Sequence, residues 1–220
     1  LILMKHRSKA ASSDGRLDWQ TAMEGLRFTY NHPILWGTVL LDFFATLFSS
    51  ARTMLPIVAD QILNVGAEGY GILATAQPVG ALITGVILSL RSDIRQQGYA
   101  LLGGVIVYGL ATALFGVSTW FLFSYILFGL TGAGDTVSTV IRGTLRQVAT
   151  PDHLRGRATS VAMIFFMGGP QLGELEAGLA AAPFAIFSGG IATVALTIWV
   201  GWRYPAIRHY QGEPKIEPAQ

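Results

Sequence analysis

Five charged side chains stand inside long apolar runs of this chain: Asp42, Arg52, Asp135, Glu174 and Glu176. A charge in hydrocarbon costs at least ~2.5 kcal/mol, so one that persists there is paired, lines water or handles a solute. Asp42 lies about nine residues from one end of its run, and Asp135 lies about seven from the same-side end of its own. At ~1.5 Å of rise per helical residue the two carboxylates share a depth. If they face one cavity they can exchange a proton during a cycle or hold a cationic solute. Bonding to a neighbouring helix backbone or to Ser and Thr is the structural alternative. Gln77, beside Pro78, is a further candidate for solute contact.

Arg52 lies near the opposite end of its run, at the depth of Glu174 and Glu176 in a later one. An interhelical ion pair, structural or acting as an outer gate, is the economical reading. Glu174 and Glu176 point to nearly opposite helix faces, so at most one can pair; Glu174, four residues after Pro170, is expected inside. Arg142 and Arg146 sit one turn apart where the fourth run ends, which suits helix-dipole compensation and topology, with an inner gate as the alternative role for Arg142. All four histidines, His6, His32, His153 and His209, fall outside the runs, and cysteine is absent. Phe187-Ser188-Gly189 lacks the glycine that precedes a serine nucleophile elbow, and no phosphate-binding glycine loop occurs. The expectation is a protein that is no enzyme, with no metal and no cofactor.

The elements that position these charges are membrane spans. Hydrophobic residues make up 51% and charged ones 13%, where soluble domains carry nearer ~25% charged. Mean hydropathy is +0.48. The pI near 9.1 comes from dispersed basic residues, with no basic run interleaved with aromatics, so no nucleic-acid partner is expected. Six runs of about the ~20 residues needed to cross a bilayer fall at 33–57, 70–90, 99–117, 120–141, 158–178 and 183–202. Fourteen of the fifteen Lys and Arg residues, all but Arg52, fall in segments that would share one side. Positive-inside then puts both termini in the cytoplasm of a multi-pass, inner-membrane protein. Residues 1–32 form a cytoplasmic loop behind the stub of an earlier span, so the chain reads as a fragment or truncated product, and 205–220 form a cytoplasmic tail. Within the loop, Trp19, Met23, Leu26 and Tyr30 line one face of an amphipathic helix over 17–30, suited to lying on the membrane surface.

The runs divide into two triplets. The first of each carries an aspartate, Asp42 or Asp135. The second carries a mid-run proline among small residues: Pro78 with Gly80, then Gly169-Pro170 with Gly173. The third carries no charge. With three spans per triplet the second enters from the opposite side, giving inverted repeats, a pattern of secondary transporters.

At Met23-Glu24-Gly25-Leu26-Arg27-Phe28, at His32-Pro33 and at Thr150-Pro151-Asp152-His153-Leu154-Arg155-Gly156-Arg157 the chain resembles the major facilitator superfamily. The two segments are similar to the approach to its seventh helix and the loop entering its eleventh. The likeness covers 23–204 and is closest to the branch of enterobactin, drug and metabolite exporters. It departs from the superfamily at the first basic loop, where Ser89 stands four residues after Gly85 in place of an aspartate. The resemblance implies helices seven to twelve of a twelve-helix fold, with spans 1 and 4 lining a cavity. Spans 2 and 5 should then pack against a missing N-terminal half, and spans 3 and 6 should face lipid. It implies half of a secondary active exporter of small, partly apolar molecules, working by alternating access and driven by a proton gradient. The reading from another class is a complete six-helix scaffold or channel that dimerises around its own pore.

Overall fold

The computed structural model describes residues 19–47, 51–91, 94, 96–152, 154–179 and 182–211, with the side chains of 19–22, 172 and 174–179 outside that description. All regular structure among them is helical. In chain order the helices are α1 (Trp19–Asn31), α2 (Pro33–Leu47), α3 (Leu55–Ile57), α4 (Gly66–Leu90) and α5 (Gln97–Val117). They continue with α6 (Phe121–Ala149), α7 (Arg155–Leu179), α8 (Ala182–Arg203) and α9 (Pro205–Arg208). A π-helical stretch, Val58–Ile62, extends α3. Helices α4, α5 and α8, of 25, 21 and 22 residues, are long and apolar enough to cross a membrane. α6 and α7 have the length, 29 and 25 residues, with more polar residues, and α2 is a shorter apolar helix of 15.

The expected first span, 33–57, is not one helix. α2 ends at Leu47, residues 51–54 form a turn, and the chain restarts at α3. Pro56 explains the restart: it lacks an N–H and is tolerated in a first helical turn, where it sits, but not in a helix interior. Arg52 therefore lies in a turn and is exposed, rather than within a helix. The expected fourth span is longer than 120–141: α6 runs on to Ala149, so Arg142 is inside the helix rather than closing it, while Arg146 stands in the last turn. The start of the expected tail packs on the bundle as far as Tyr210. Ile207 of α9 is fully buried over Gly37, and the Gly98 N–H donates to the Tyr210 carbonyl at 3.0 Å.

Two apolar clusters hold the bundle. One gathers Met54, Leu55 and Val58 with Leu73, Phe115, Phe128 and Ile186, its Phe115 and Phe128 rings stacked at 5.2 Å. The other, where α5 begins and α6 ends, gathers Leu41, Leu101, Val105, Ile141, Leu145, Val200 and Ile207. Several buried hydroxyls are satisfied within their own helices: Thr112 donates to the Tyr108 carbonyl, Thr193 to Gly189 and Thr197 to Thr193. Such hydroxyls do not link helices, and close packing between helices relies on small residues. A Cβ on Gly80 would strike the Gly129 backbone, and one on Gly132 would strike the Gln77 carbonyl, so α4 and α6 touch backbone to backbone. In the same way Gly169 meets Thr46 and Gly173 meets the Leu47 carbonyl, joining α7 to α2. Gly109 and Gly190 join α5 to α8. Gly80 after Pro78 and Gly173 after Pro170 thus serve contacts within this chain. Helix α5 is largely buried between α6 and α8, with an apolar outer face of Val107, Leu110, Leu114 and Val117.

Helix α1 docks on the start of α7. Gly25 and Thr29 are buried, and a Cβ on Gly25 would come within 2.8 Å of the Arg157 Cβ. Met23 and Tyr30, from the apolar stripe expected to contact the membrane, are exposed. Glu24 forms an ion pair with Arg157, their side chains 59% and 37% exposed. Pairs this wet contribute little. Glu24→Gln should lower the unfolding free energy by about 0.5 kcal/mol or less, measured by thermal unfolding in detergent; a drop several times larger would mean that the contact anchors α1.

Candidate functional site

Asp42 and Arg142 meet across the interior. Arg142 Nη1 lies 2.8 Å from Asp42 Oδ1, with side chains 3% and 6% exposed. The pair joins α2 to α6 over a hundred residues of sequence. Arg142 Nη2 is 3.9 Å from Asp135 Oδ1 two helical turns back, and it donates to the Thr139 hydroxyl at 3.1 Å. Thr139 in turn donates to Asp135 Oδ1 at 3.4 Å. Arg146 Nη1 stands 4.0 Å from Asp42 Oδ2, while its Nε donates to the Arg142 carbonyl at 3.3 Å. Spacing explains the cluster: Asp135, Thr139, Arg142 and Arg146 fall at intervals of four, three and four, on one face of α6.

Three cavities run along that face. A cavity of about 380 Å³ is lined by Arg52, Tyr70, Gln77, Pro78 and Asp135. The next, about 280 Å³, shares Arg52, Gln77 and Asp135 with it and adds Thr46, Tyr108 and Arg142. A third, also about 280 Å³, is lined by Asp42, Thr139, Arg142, Arg146, Arg155 and Thr159. Arg142 and Phe166 border both of the last two. Among the described residues, the two aspartates share none of these three cavities. Asp42 borders the third, held by Arg142, whereas Asp135, its side chain 57% exposed, borders the first two. Among the remaining expected residues, Pro170 and Gly173 line the second cavity and Gln77 lines two. Glu174 and Glu176, the expected partners of Arg52, have side chains outside the described residues.

Sequence reasoning missed the Asp42–Arg142 pair because the arginine was assigned to a helix end. It also missed Tyr108, only 6% exposed on α5 and bordering the second cavity. The signal was available: a tyrosine in the middle of an apolar helix brings a hydroxyl that needs a polar neighbour.

Long apolar helices packed through glycine, around an ionic cluster set between cavities, define a multi-pass membrane protein with a polar interior. Residues 2–208 match the family described as transmembrane secretion effectors, and the chain belongs to that family of the major facilitator superfamily. It is similar to the enterobactin exporter EntS of Escherichia coli O81 (strain ED1a), 27% identical over 180 residues, which are 81% of this chain and 43% of that protein. The EntS proteins of Escherichia coli O139:H28 (strain E24377A / ETEC) and Shigella boydii serotype 18 (strain CDC 3083-94 / BS512) are 26% and 27% identical over the same shares. The chain spans less than half the length of these relatives.

Proposed function

We propose that the chain is the C-terminal six-helix half of a secondary transporter that exports small, partly apolar molecules across the inner membrane by alternating access. Its termini lie in the cytoplasm on this reading. The observation that carries it is the string of cavities along α6, interrupted by the buried Asp42–Arg142 pair. A polar path closed by a single ionic contact is what a gated route through an apolar bundle needs. α2 and the turn after it, α4, α6 and α7 supply its walls, in keeping with aspartate-bearing and proline-bearing helices drawn from two triplets. The contact pattern supports the inverted repeat: the proline helix of each triplet crosses the aspartate helix of the other, α4 on α6 and α7 on α2.

The exposed apolar residues of α4, among them Leu82, Ile83, Val86 and Leu90, and of α7, among them Ile164 and Met167, supply the face for the N-terminal half. Relatives more than twice as long favour that half over a second copy of this chain. Asp135, open to two cavities, is the carboxylate placed to take a proton or a cationic group, while Asp42 holds Arg142 across the closed path.

Transport by the full-length protein in sealed vesicles, with a panel of apolar solutes and with or without a pH gradient, tests this. Asp135→Asn should abolish the response to the gradient. Gradient-driven export equal to wild type in Asp135→Asn would end the coupling role. No movement of any solute by the wild-type protein would end the transporter reading.

A further inference from the structure

We infer that the third cavity, between the end of α6 and the start of α7, is a binding site for an anionic oxygen group, a carboxylate or a phosphate. Its wall carries three guanidinium groups, Arg142, Arg146 and Arg155, against one carboxylate, Asp42. Asp42 is taken up by Arg142 at 2.8 Å and leaves Arg146 at 4.0 Å, beyond hydrogen-bonding distance. The one bond Arg146 Nε makes is to a backbone carbonyl of its own helix. Arg155, while lining the cavity, pairs with Asp152 at 2.7 Å, a carboxylate 89% exposed, and donates to the Gln147 carbonyl at 3.3 Å. Asp135, the remaining acid near the cluster, borders the other two cavities and stands 3.9 Å from Arg142.

Donors therefore outnumber acceptors. The Arg142 side chain is 3% exposed, and its Nε has no hydrogen-bond partner among the described residues. A buried guanidinium N–H left unpaired is costly, and the ligand that relieves it is an anion able to accept from more than one arginine. A volume of about 280 Å³ holds a phosphate or a short carboxylic acid with water to spare. The geometry sets a competition: a bound anion and Asp42 draw on the same Arg142, so an acidic group arriving here loosens the contact between α2 and α6. That this opens the transport path rests on the function proposed above. Equilibrium binding does not.

The test titrates the full-length protein, in phosphatidylcholine nanodiscs, with sodium phosphate against chloride at constant ionic strength, read by calorimetry. Saturable binding is expected. Arg146→Gln and Arg155→Gln should each weaken it by about tenfold, the scale of one charge-assisted hydrogen bond. Arg203→Gln, at the end of α8 and away from the cavity, should leave it unchanged, and Asp42→Asn should tighten it. Phosphatidylglycerol added to the discs separates the sources of the anion. Weakening of phosphate binding by that lipid in wild type, but not in the arginine variants, assigns the site to a lipid headgroup; no such weakening assigns it to a soluble anion. Equal affinity in wild type, Arg146→Gln and Arg155→Gln overturns the site. So does the absence of both saturable phosphate binding and any Arg146-dependent retention of the lipid. A protein that binds phosphate with this arginine dependence yet transports nothing keeps the site and loses only its place in a transport path.

Discussion

Arg142→Met should be the most damaging single substitution in the interior, lowering the unfolding free energy by about 3–5 kcal/mol. The arginine side chain is 3% exposed and its partner Asp42 only 6%. Removing the guanidinium leaves a carboxylate buried, with Arg146 at 4.0 Å as its nearest cation. Asp42→Leu is the mirror case, leaving Arg142 with Asp135 at 3.9 Å. In both, most of the loss is the desolvation of the charge left behind, not the value of the bond. The double variant Asp42→Leu with Arg142→Met removes both charges and keeps apolar volume, so it should recover most of the stability lost by either single change. Thermal unfolding of the four proteins in detergent gives the cycle. Losses that simply add would contradict a direct pair.

The double variant also separates stability from mechanism. A bundle as stable as wild type but unable to transport would make the pair a moving part; one that transports normally would make it a structural clasp.

Gly132→Val should be nearly as severe, with a loss of about 3 kcal/mol, at the upper end for overpacking a tight contact. A Cβ at Gly132 would collide with the Gln77 carbonyl, which is backbone and cannot rotate aside. Helix α4 would have to move away from α6, carrying with it Gln77 and Pro78, which line the first cavity with Asp135. Gly85→Ala is the control in the same helix pair: nothing lies within 4 Å of a Cβ there, so stability should stay within about 0.5 kcal/mol. Unfolding measurements on both, with transport on Gly132→Val, check the claim. A Gly132→Val protein as stable as Gly85→Ala would mean that α4 and α6 are not in backbone contact.

Much of the architecture was legible before any coordinates. Three of the expected spans, 70–90, 99–117 and 183–202, correspond to α4, α5 and α8, each recovered with small shifts at its ends. In lipid every backbone polar group must be bonded within its own segment, so a long apolar run has helix as its answer, whatever surrounds it. The amphipathic α1 was legible for a similar reason, since its periodicity is local; that its Gly25 and Thr29 would be the packed side, leaving Met23 and Tyr30 exposed, was not.

The site was only half legible. Charges in apolar runs marked Asp42 and Asp135 as exceptional, because their cost in hydrocarbon is a property of the residue itself. Which cation met which acid depended on the rotation and crossing of whole helices, and those are set where glycines let backbones touch: Gly80 on Gly129, Gly132 on Gln77, Gly173 on Leu47. The sequence alone therefore determined the class, a helical membrane protein of the major facilitator kind, and the charged residues most worth attention. Tertiary structure alone decided that Arg142 lies inside the bundle on Asp42, that Asp135 opens to two cavities, and that Arg146 and Arg155 share a third with Asp42. The physical reason is that burying a charge is decided by its own chemistry, whereas pairing it is decided by which helices pack side by side.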